Sequence, residues 1–197
     1  AVLPSSAEYP FLRVQIGERV VSTNLVGSYN ADNVMAALAV GQHFGVSFEE
    51  AVAAIAAYVP ANKRSQMTKT DRNTLIVDAY NANPTSMAAA LENFSNVAAD
   101  CKVALLGDML ELGEESLTEH VAVIKSACSR GLSKVCFVGK EFLKASAEVD
   151  PELLAVARFF ATSDELAAYL SAEPLAGATI LIKGSRGTRM ENVIPAL

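Results

Sequence analysis

Short apolar runs alternate with stretches of helical periodicity along the second two thirds of the chain. Runs rich in β-branched residues predict buried strands, and apolar residues that recur every three or four positions predict helices. The predicted strands are Leu75–Val77, Val103–Leu106, Val135–Val138, Arg158–Ala161 and Thr179–Ile182. The predicted helices are Thr85–Val97, Ser116–Arg130, Glu141–Glu148 and Asp164–Leu170. Strands that alternate with helices predict an α/β fold with a doubly wound, mainly parallel sheet.

The first sixty residues have a different pattern. Two short strands that flank a glycine-containing turn predict a hairpin over residues 11–22. A helix is predicted over Ala31–Phe44, and a second helix begins at Ser47, where Glu50 three residues later completes a capping box. Because the helical pattern breaks at Val59–Arg64, we expect a connection between two domains there.

The predicted boundary divides the chain into residues 1–62 and residues 63–197. We expect the second domain to be Rossmann-like, although no G-x-G-x-x-G sequence follows its first strand to bind a dinucleotide. The phosphate-binding G-x-x-x-x-G-K-[ST] sequence is also absent from the chain. The chain begins without Met and without a pattern typical of a domain start, so we expect a fragment of a longer protein.

Composition indicates an ordinary globular protein. The chain has 197 residues, is 51% hydrophobic and carries a formal net charge of -6. The acidic balance argues against a nucleic-acid-binding surface, and no apolar run is long enough to cross a bilayer. Three cysteines without a C-x-x-C spacing predict neither a disulfide framework nor a zinc site. We therefore expect a cytoplasmic protein, and nothing in the sequence indicates an obligate oligomer.

The polar loop after the first predicted strand of the second domain is the leading candidate site. Asp78 ends that strand, and Pro84 suits the first turn of the helix that follows. Ligands of α/β proteins bind at the carboxyl ends of such strands. Asp78 has two interpretations, a turn former or an acceptor of hydrogen bonds from a ligand's hydroxyl groups. Asn83 likewise suits either the N-cap of the helix or a binding role, and Asn81 lies in the same loop.

Two further asparagines lie three residues apart where the first helix begins. Asn30 and Asn33 therefore share one face of that helix. One interpretation is that Asn30 caps the helix and Asn33 is solvated. The other is nucleotide recognition, because an amide offers both the donor and the acceptor that the edge of adenine requires.

Charged residues follow two other predicted strands. Lys183, Ser185 and Arg186 lie in K-G-S-R-G, where two cations and flexible glycines suit an anion, although a plain turn with exposed charges fits as well. The acidic stretch from Asp108 to Glu115 is interpreted as a solvated loop before a helix, where carboxylates favour the helix dipole. We predict no metal site from these residues.

Four stretches together resemble the Mur ligase family. They are GSYNADNVMAALA (27–39), DAYNANPTSM (78–87), LGDMLELGEES (106–116) and KGSRGTRME (183–191), in the family's order. The asparagine-rich loop resembles the branch that joins D-Ala-D-Ala to UDP-MurNAc-tripeptide in peptidoglycan synthesis. The resemblance implies an ATP-dependent ligase that uses Mg²⁺ and an acyl-phosphate intermediate, with residues 1–62 as the tail of the central ATPase domain and residues 63–197 as the C-terminal domain.

The resemblance also implies roles for particular residues. The implied nucleotide-binding residues are Asn30, Asn33, Arg64 and Asp78. The implied substrate-binding residues are Asn81, Asn83, Lys183, Ser185 and Arg186. ATP and Mg²⁺ would be bound mainly by parts of the protein outside this chain, and the C-terminal domain would close over the central one to exclude water. We therefore expect residues 1–197 alone to be inactive.

Two alternatives stay open. One is another amino-acid ligase of the superfamily, either MurE-like or folylpolyglutamate-synthase-like. The other is a non-catalytic α/β module that binds a protein or a small anion. Asn30 and Asn33 discriminate against the second alternative, since such a module has no need of amides that face adenine.

Overall fold

The computed structural model describes residues 1–4, 9–60 and 66–197. The upstream part forms a three-stranded antiparallel sheet and two helices, and the predicted hairpin is its β2–β3 pair. These elements are β1 (Val2–Leu3), β2 (Arg13–Ile16), β3 (Arg19–Ser22), α1 (Ala31–His43) and α2 (Phe48–Ala57).

The two helices of the upstream part begin and end as their sequences predict. Gly45 adopts φ 82° just after α1, a conformation that costs glycine little. The Ser47 hydroxyl accepts the Glu50 N–H, and the Glu50 carboxylate accepts the Ser47 N–H, so the predicted capping box is present. Val34 and Leu38 of α1 pack on the inner residues of the hairpin and form a small separate core.

The downstream part is a six-stranded sheet in the order β4-β5-β9-β6-β7-β8. Only the edge strand β4 is antiparallel to its neighbour among these six strands. The strands are β4 (Gln66–Lys69), β5 (Thr74–Asp78), β6 (Lys102–Gly107), β7 (Lys134–Val138), β8 (Ala157–Phe160) and β9 (Thr179–Lys183). The helices are α3 (Pro84–Ser95), α4 (Ser116–Cys128), α5 (Lys140–Ser146) and α6 (Ser163–Ala172).

Both faces of this sheet are buried, which confirms the doubly wound prediction. Alternate residues of a strand point to opposite faces. Ile76 accordingly packs into the core that contains α3, α4 and α5, whereas Leu75 packs into the core that contains α6 and the C-terminal segment. Strands buried on both faces need the continuous apolar runs that the sequence shows.

Several downstream elements were not predicted. β4 is a mixed polar segment at the sheet edge, and Met190–Ala196 forms a 3₁₀ helix that closes one core. Shorter 3₁₀ turns lie at Ser28–Asn30, Gly113–Glu115, Pro151–Val156 and Arg186–Thr188. The predicted domain boundary between residues 62 and 63 lies outside the described residues and stays a prediction.

The upstream part contacts the sheet domain at α3. Val26 belongs to the larger core, and the Asn93 side-chain oxygen accepts hydrogen bonds from the Ser28 N–H (3.1 Å) and hydroxyl (2.9 Å). The beginning of α1 also lies near the loop that follows β5. Within the described ranges, no helix has the length and apolar character needed to cross a membrane.

Candidate functional site

A cleft of about 250 Å³ lies between the start of α1 and the carboxyl ends of β5 and β9. We call it the amide cleft because four asparagines line it. Its lining residues are Tyr29, Asn30, Asn33, Asp78, Tyr80, Asn81, Ala82, Asn83, Ser86 and Lys183. Six of the nine predicted site residues therefore lie on the walls of one cleft.

The upstream wall of the amide cleft is an asparagine pair. Asn30 is buried and donates from its side chain to the Val26 carbonyl (2.9 Å), while its side-chain oxygen accepts from Asn33 (3.1 Å). Asn30 occupies the N-cap position of α1, yet its side chain makes no capping hydrogen bond. The capping interpretation of Asn30 is therefore wrong. Asn33 is exposed, so its amide is accessible from the cleft.

The opposite wall is an ion pair between neighbouring strands. Asp78 and Lys183 are register partners in β5 and β9. The Lys183 ammonium donates to the Asp78 carboxylate at 2.6 Å and to the Asn81 carbonyl at 3.3 Å. Lys183 is only 1% exposed. The two parallel strands therefore end with the Asp78 carboxylate on the cleft wall and with the more deeply buried Lys183 ammonium in contact with it.

The loop between β5 and α3 forms the floor of the cleft. The Asn83 side chain accepts the Ser86 N–H at 2.8 Å, which confirms that Asn83 is the N-cap of α3. The Asn81 side chain accepts the N–H of Ala82 at 2.8 Å. Both asparagines are nevertheless exposed to the cleft, so each retains side-chain atoms that a ligand can contact.

Ser185 and Arg186 lie beside the cleft rather than in it. Ser185 is buried, and its hydroxyl accepts the Leu110 N–H (2.9 Å) and donates to the Ala82 carbonyl (3.3 Å). Arg186 is exposed, and its guanidinium lies 5.7 Å from the centre of the Tyr80 ring. Arg64, one of the implied nucleotide-binding residues, lies outside the described residues.

Asp108 is buried, which contradicts its interpretation as part of a solvated loop. Its carboxylate accepts the N–H groups of Glu141 (3.1 Å) and Phe142 (3.0 Å) in the first turn of α5. Burial raises the pKa of Asp108, and these two hydrogen bonds offset part of the rise. Glu111, Glu114 and Glu115 of the same stretch are exposed, as the solvated interpretation requires.

A buried histidine completes this network. His120 is fully buried, and its Nε2 accepts the Met109 N–H at 3.0 Å while its Nδ1 lies 2.6 Å from the Ser116 carbonyl. An acceptor Nε2 and a donor Nδ1 define a neutral imidazole. His120 therefore fixes the loop after β6.

A second cleft of about 450 Å³ was not identified from the sequence. It lies at the carboxyl ends of β6 to β8, and Lys140, Thr162, Arg189 and Asn192 contribute to its walls. Arg189 has a left-handed backbone, with φ 49°. The sequence contained an indication of this second cleft, because each of these residues follows a predicted strand or lies near the K-G-S-R-G motif.

The described residues contain no preformed metal-binding cluster. They contain no group of three or more His, Cys, Asp or Glu side chains that could hold a metal ion. Asp78, the carboxylate on the wall of the amide cleft, is bonded to Lys183. Mg²⁺ prefers several oxygen ligands, including waters and substrate phosphates.

Comparison with known proteins identifies relatives over most of the chain. A model of the Mur ligase family, described as its glutamate ligase domain, matches residues 63–186. A UDP-N-acetylmuramoyl-tripeptide–D-alanyl-D-alanine ligase from Treponema pallidum is 34% identical over 94% of this chain and 40% of that protein. The ligase of the same name from Bacillus subtilis is 33% identical over 88% of this chain and 38% of that protein.

Solved structures agree with these matches. A crystal structure of MurF from Acinetobacter baumannii has a TM-score of 0.76 and 27% identity over 94% of this chain and 41% of that chain. MurF from Thermotoga maritima in complex with ADP has a TM-score of 0.73 at 20% identity, which shows a shared fold. The chain thus spans about 40% of the length of the curated relatives described above.

Proposed function

The chain belongs to the Mur ligase family, and we propose that it is part of an ATP-dependent ligase that joins D-Ala-D-Ala to UDP-MurNAc-tripeptide in peptidoglycan synthesis. The names of the Treponema pallidum and Bacillus subtilis relatives support this branch of the family. A cytoplasmic location and a monomeric state belong to the same proposal.

The observation that carries the proposal is the composition of the amide cleft. Asn30 and Asn33 line it from the upstream part, and Asp78 lines it from the sheet domain. The amide of Asn33 can pair with the donor and acceptor on the edge of adenine. The Asp78 carboxylate can accept hydrogen bonds from ribose hydroxyls. Two parts of the chain therefore contribute complementary groups to one nucleotide.

The proposed reaction proceeds in two steps. A carboxylate oxygen of the tripeptide attacks the γ-phosphorus of ATP, the bond to ADP breaks, and an acyl phosphate forms. The amine of D-Ala-D-Ala then attacks the acyl carbon, loses a proton and displaces inorganic phosphate. Water would hydrolyse the acyl phosphate, so the protein must exclude it by closure of its domains. Arg64 is proposed to contact phosphate.

The dipeptide is proposed to bind beside the amide cleft. Arg186 is exposed and close to Tyr80, so its guanidinium is available for the free carboxylate of D-Ala-D-Ala. Asn81 and Asn83 supply neutral donors and acceptors on the same side. The Ser185 hydroxyl donates to the Ala82 carbonyl. This hydrogen bond joins the loop after β9 to the loop between β5 and α3.

Phosphate release by the full-length protein tests the proposed reaction. The protein is supplied with ATP, Mg²⁺ and UDP-MurNAc-tripeptide, and then with either D-Ala-D-Ala or single amino acids. We expect phosphate release that depends on the dipeptide, and no turnover by residues 1–197 alone. A preference for a single amino acid would assign the protein to a MurE-like or folylpolyglutamate-synthase-like ligase. Absence of ATP-dependent turnover with every acceptor would favour a non-catalytic binding module.

A further inference from the structure

Lys183 is a buried cation for which the family resemblance implied a role in substrate binding. Its side chain is 2% exposed, whereas the Asp78 side chain that it contacts is 14% exposed. We propose that Lys183 is a positioning residue for the nucleotide: its ammonium fixes the Asp78 carboxylate and the loop after β5, and it does not bind the dipeptide. This inference rests on the proposed function, because it concerns the nucleotide side of the same cleft.

The geometry gives Lys183 two anchors on one wall. Because Asp78 and Lys183 are register partners on parallel strands, their side chains project to the same side of the sheet. The ammonium donates to the Asp78 carboxylate at 2.6 Å and to the Asn81 carbonyl at 3.3 Å. One cation therefore restrains both the rotamer of the carboxylate and the path of the loop that carries Asn81.

Charge gives Lys183 a second effect on nucleotide binding. Of the described residues that line the amide cleft, only Asp78 and Lys183 carry a formal charge. With both present the lining is neutral. Loss of Lys183 would change the net charge of these lining residues from zero to minus one in a partly buried site, where repulsion of an anionic ligand is stronger than in water. Lys183 thus allows a carboxylate to face an anionic nucleotide.

Burial argues against direct capture of the dipeptide by Lys183. To reach a ligand's carboxylate, the ammonium would have to break its 2.6 Å contact with the partly buried Asp78 carboxylate, which is costly. Arg186 has no such constraint, because its side chain is exposed beside Tyr80. The two cations of the K-G-S-R-G loop therefore have separate roles, and only Arg186 is placed to meet an incoming anion.

Steady-state kinetics of the full-length ligase separate these roles. For Lys183→Met we expect the KM for ATP to rise at least tenfold, while the KM values for D-Ala-D-Ala and the UDP-linked tripeptide stay within twofold. Lys102→Met is the matched control. Lys102 begins the neighbouring strand β6 and donates to the carbonyls of Ser95 and Val97 at the opposite end of the sheet. We expect its KM values to match those of the wild type.

The double variant Asp78→Asn/Lys183→Met tests whether Lys183 acts through Asp78. It removes both charges, so we expect its melting temperature to lie above that of Lys183→Met. Its affinity for ATP, measured as the rise in melting temperature on adding the nucleotide, should stay within twofold of that of Asp78→Asn alone, because Lys183 then has no carboxylate left to position. A further loss of affinity beyond that of Asp78→Asn would show that Lys183 acts on the nucleotide independently and would overturn the inference.

Other outcomes also decide the matter. A rise in the KM for D-Ala-D-Ala alone would show that Lys183 binds the dipeptide, and an equal rise in all three KM values would show general damage. Either result overturns the inference. A wild type that releases no phosphate but is stabilised by ATP refutes the proposed reaction, and the melting-temperature comparison then tests Lys183 by itself. A wild type that does not respond to ATP in either assay refutes both.

Discussion

Removal of the Asp108 carboxylate should destabilise the sheet domain. This side chain is 3% exposed and accepts the N–H groups of Glu141 and Phe142. Hydrogen bonds to a charged group contribute about 1.5–3 kcal/mol each, so the two set an upper limit of about 6 kcal/mol. Relief of carboxylate burial offsets part of this loss. For Asp108→Ala we therefore expect the free energy of unfolding at pH 7 to fall by about 2–4 kcal/mol.

The same residue predicts a pH dependence with a defined sign. Burial raises the pKa of Asp108 in the folded chain above its ordinary value. The folded state therefore binds the proton more tightly than the unfolded state does. The contribution of this group is most favourable below its unfolded pKa of about 3.9, and it is lost as the pH rises through the folded pKa. Asp108→Asn and Asp108→Ala should both abolish the part of the pH dependence of stability that comes from this carboxyl group.

Urea unfolding followed by circular dichroism between pH 4 and pH 8 measures both effects. Amide hydrogen exchange at Glu141 and Phe142 adds a local reading, because both N–H groups lose their acceptor in Asp108→Ala. Glu114→Ala is the control from the same acidic stretch, and its exposed side chain predicts a change within about 0.5 kcal/mol. If Asp108→Ala also changes stability by less than about 0.5 kcal/mol, the buried capping account is refuted.

Three further perturbations test other parts of the structure. The pKa of the Cys136 thiol is raised to about 11 by burial, so this cysteine should resist alkylation at pH 8 in the folded chain and react only after unfolding, as peptide mapping would show. Asn83→Ala should cost about 1 kcal/mol in urea unfolding because α3 loses its N-cap, and Asn83→Asp should retain most of that stability. Gly139→Ala should lower the melting temperature strongly, since Gly139 adopts φ 120° and an added Cβ would collide with the Asp108 carboxylate. If Gly139→Ala melts at the same temperature as the wild type, the close approach of Gly139 to the Asp108 carboxylate is contradicted.

The strands and helices of the sheet domain could be predicted because their pattern is local. Each predicted strand overlaps an observed strand, and the predicted helices differ from the observed ones by about two residues at their ends. β4 has no such pattern, because an edge strand can carry polar residues such as Gln66 and Lys69. Met190–Ala196 contains Pro195 and forms a 3₁₀ helix, so helical periodicity could not identify it.

The candidate site could be predicted only in part, because local patterns locate strand ends but do not give the order of the strands in the sheet. Strand ends locate Asp78 and Lys183 at one edge of the sheet, but sequence does not reveal that β9 lies beside β5 and that the two side chains pair. Asp108 belongs by sequence to an acidic stretch before α4, yet it caps α5, more than thirty residues away. Such pairings depend on strand order, which local residue patterns do not specify.

The affinity of the full-length protein for a non-hydrolysable ATP analogue is the most direct test of the amide cleft as a nucleotide site. Isothermal titration should compare the wild type with Asn33→Ala and Asp78→Asn, which alter opposite walls of the cleft. Asn96→Ala is the matched control, because Asn96 is an exposed asparagine at the far end of α3. We predict that each wall variant weakens binding at least tenfold and that the control binds as the wild type does. Wild-type affinity in both wall variants would contradict the account.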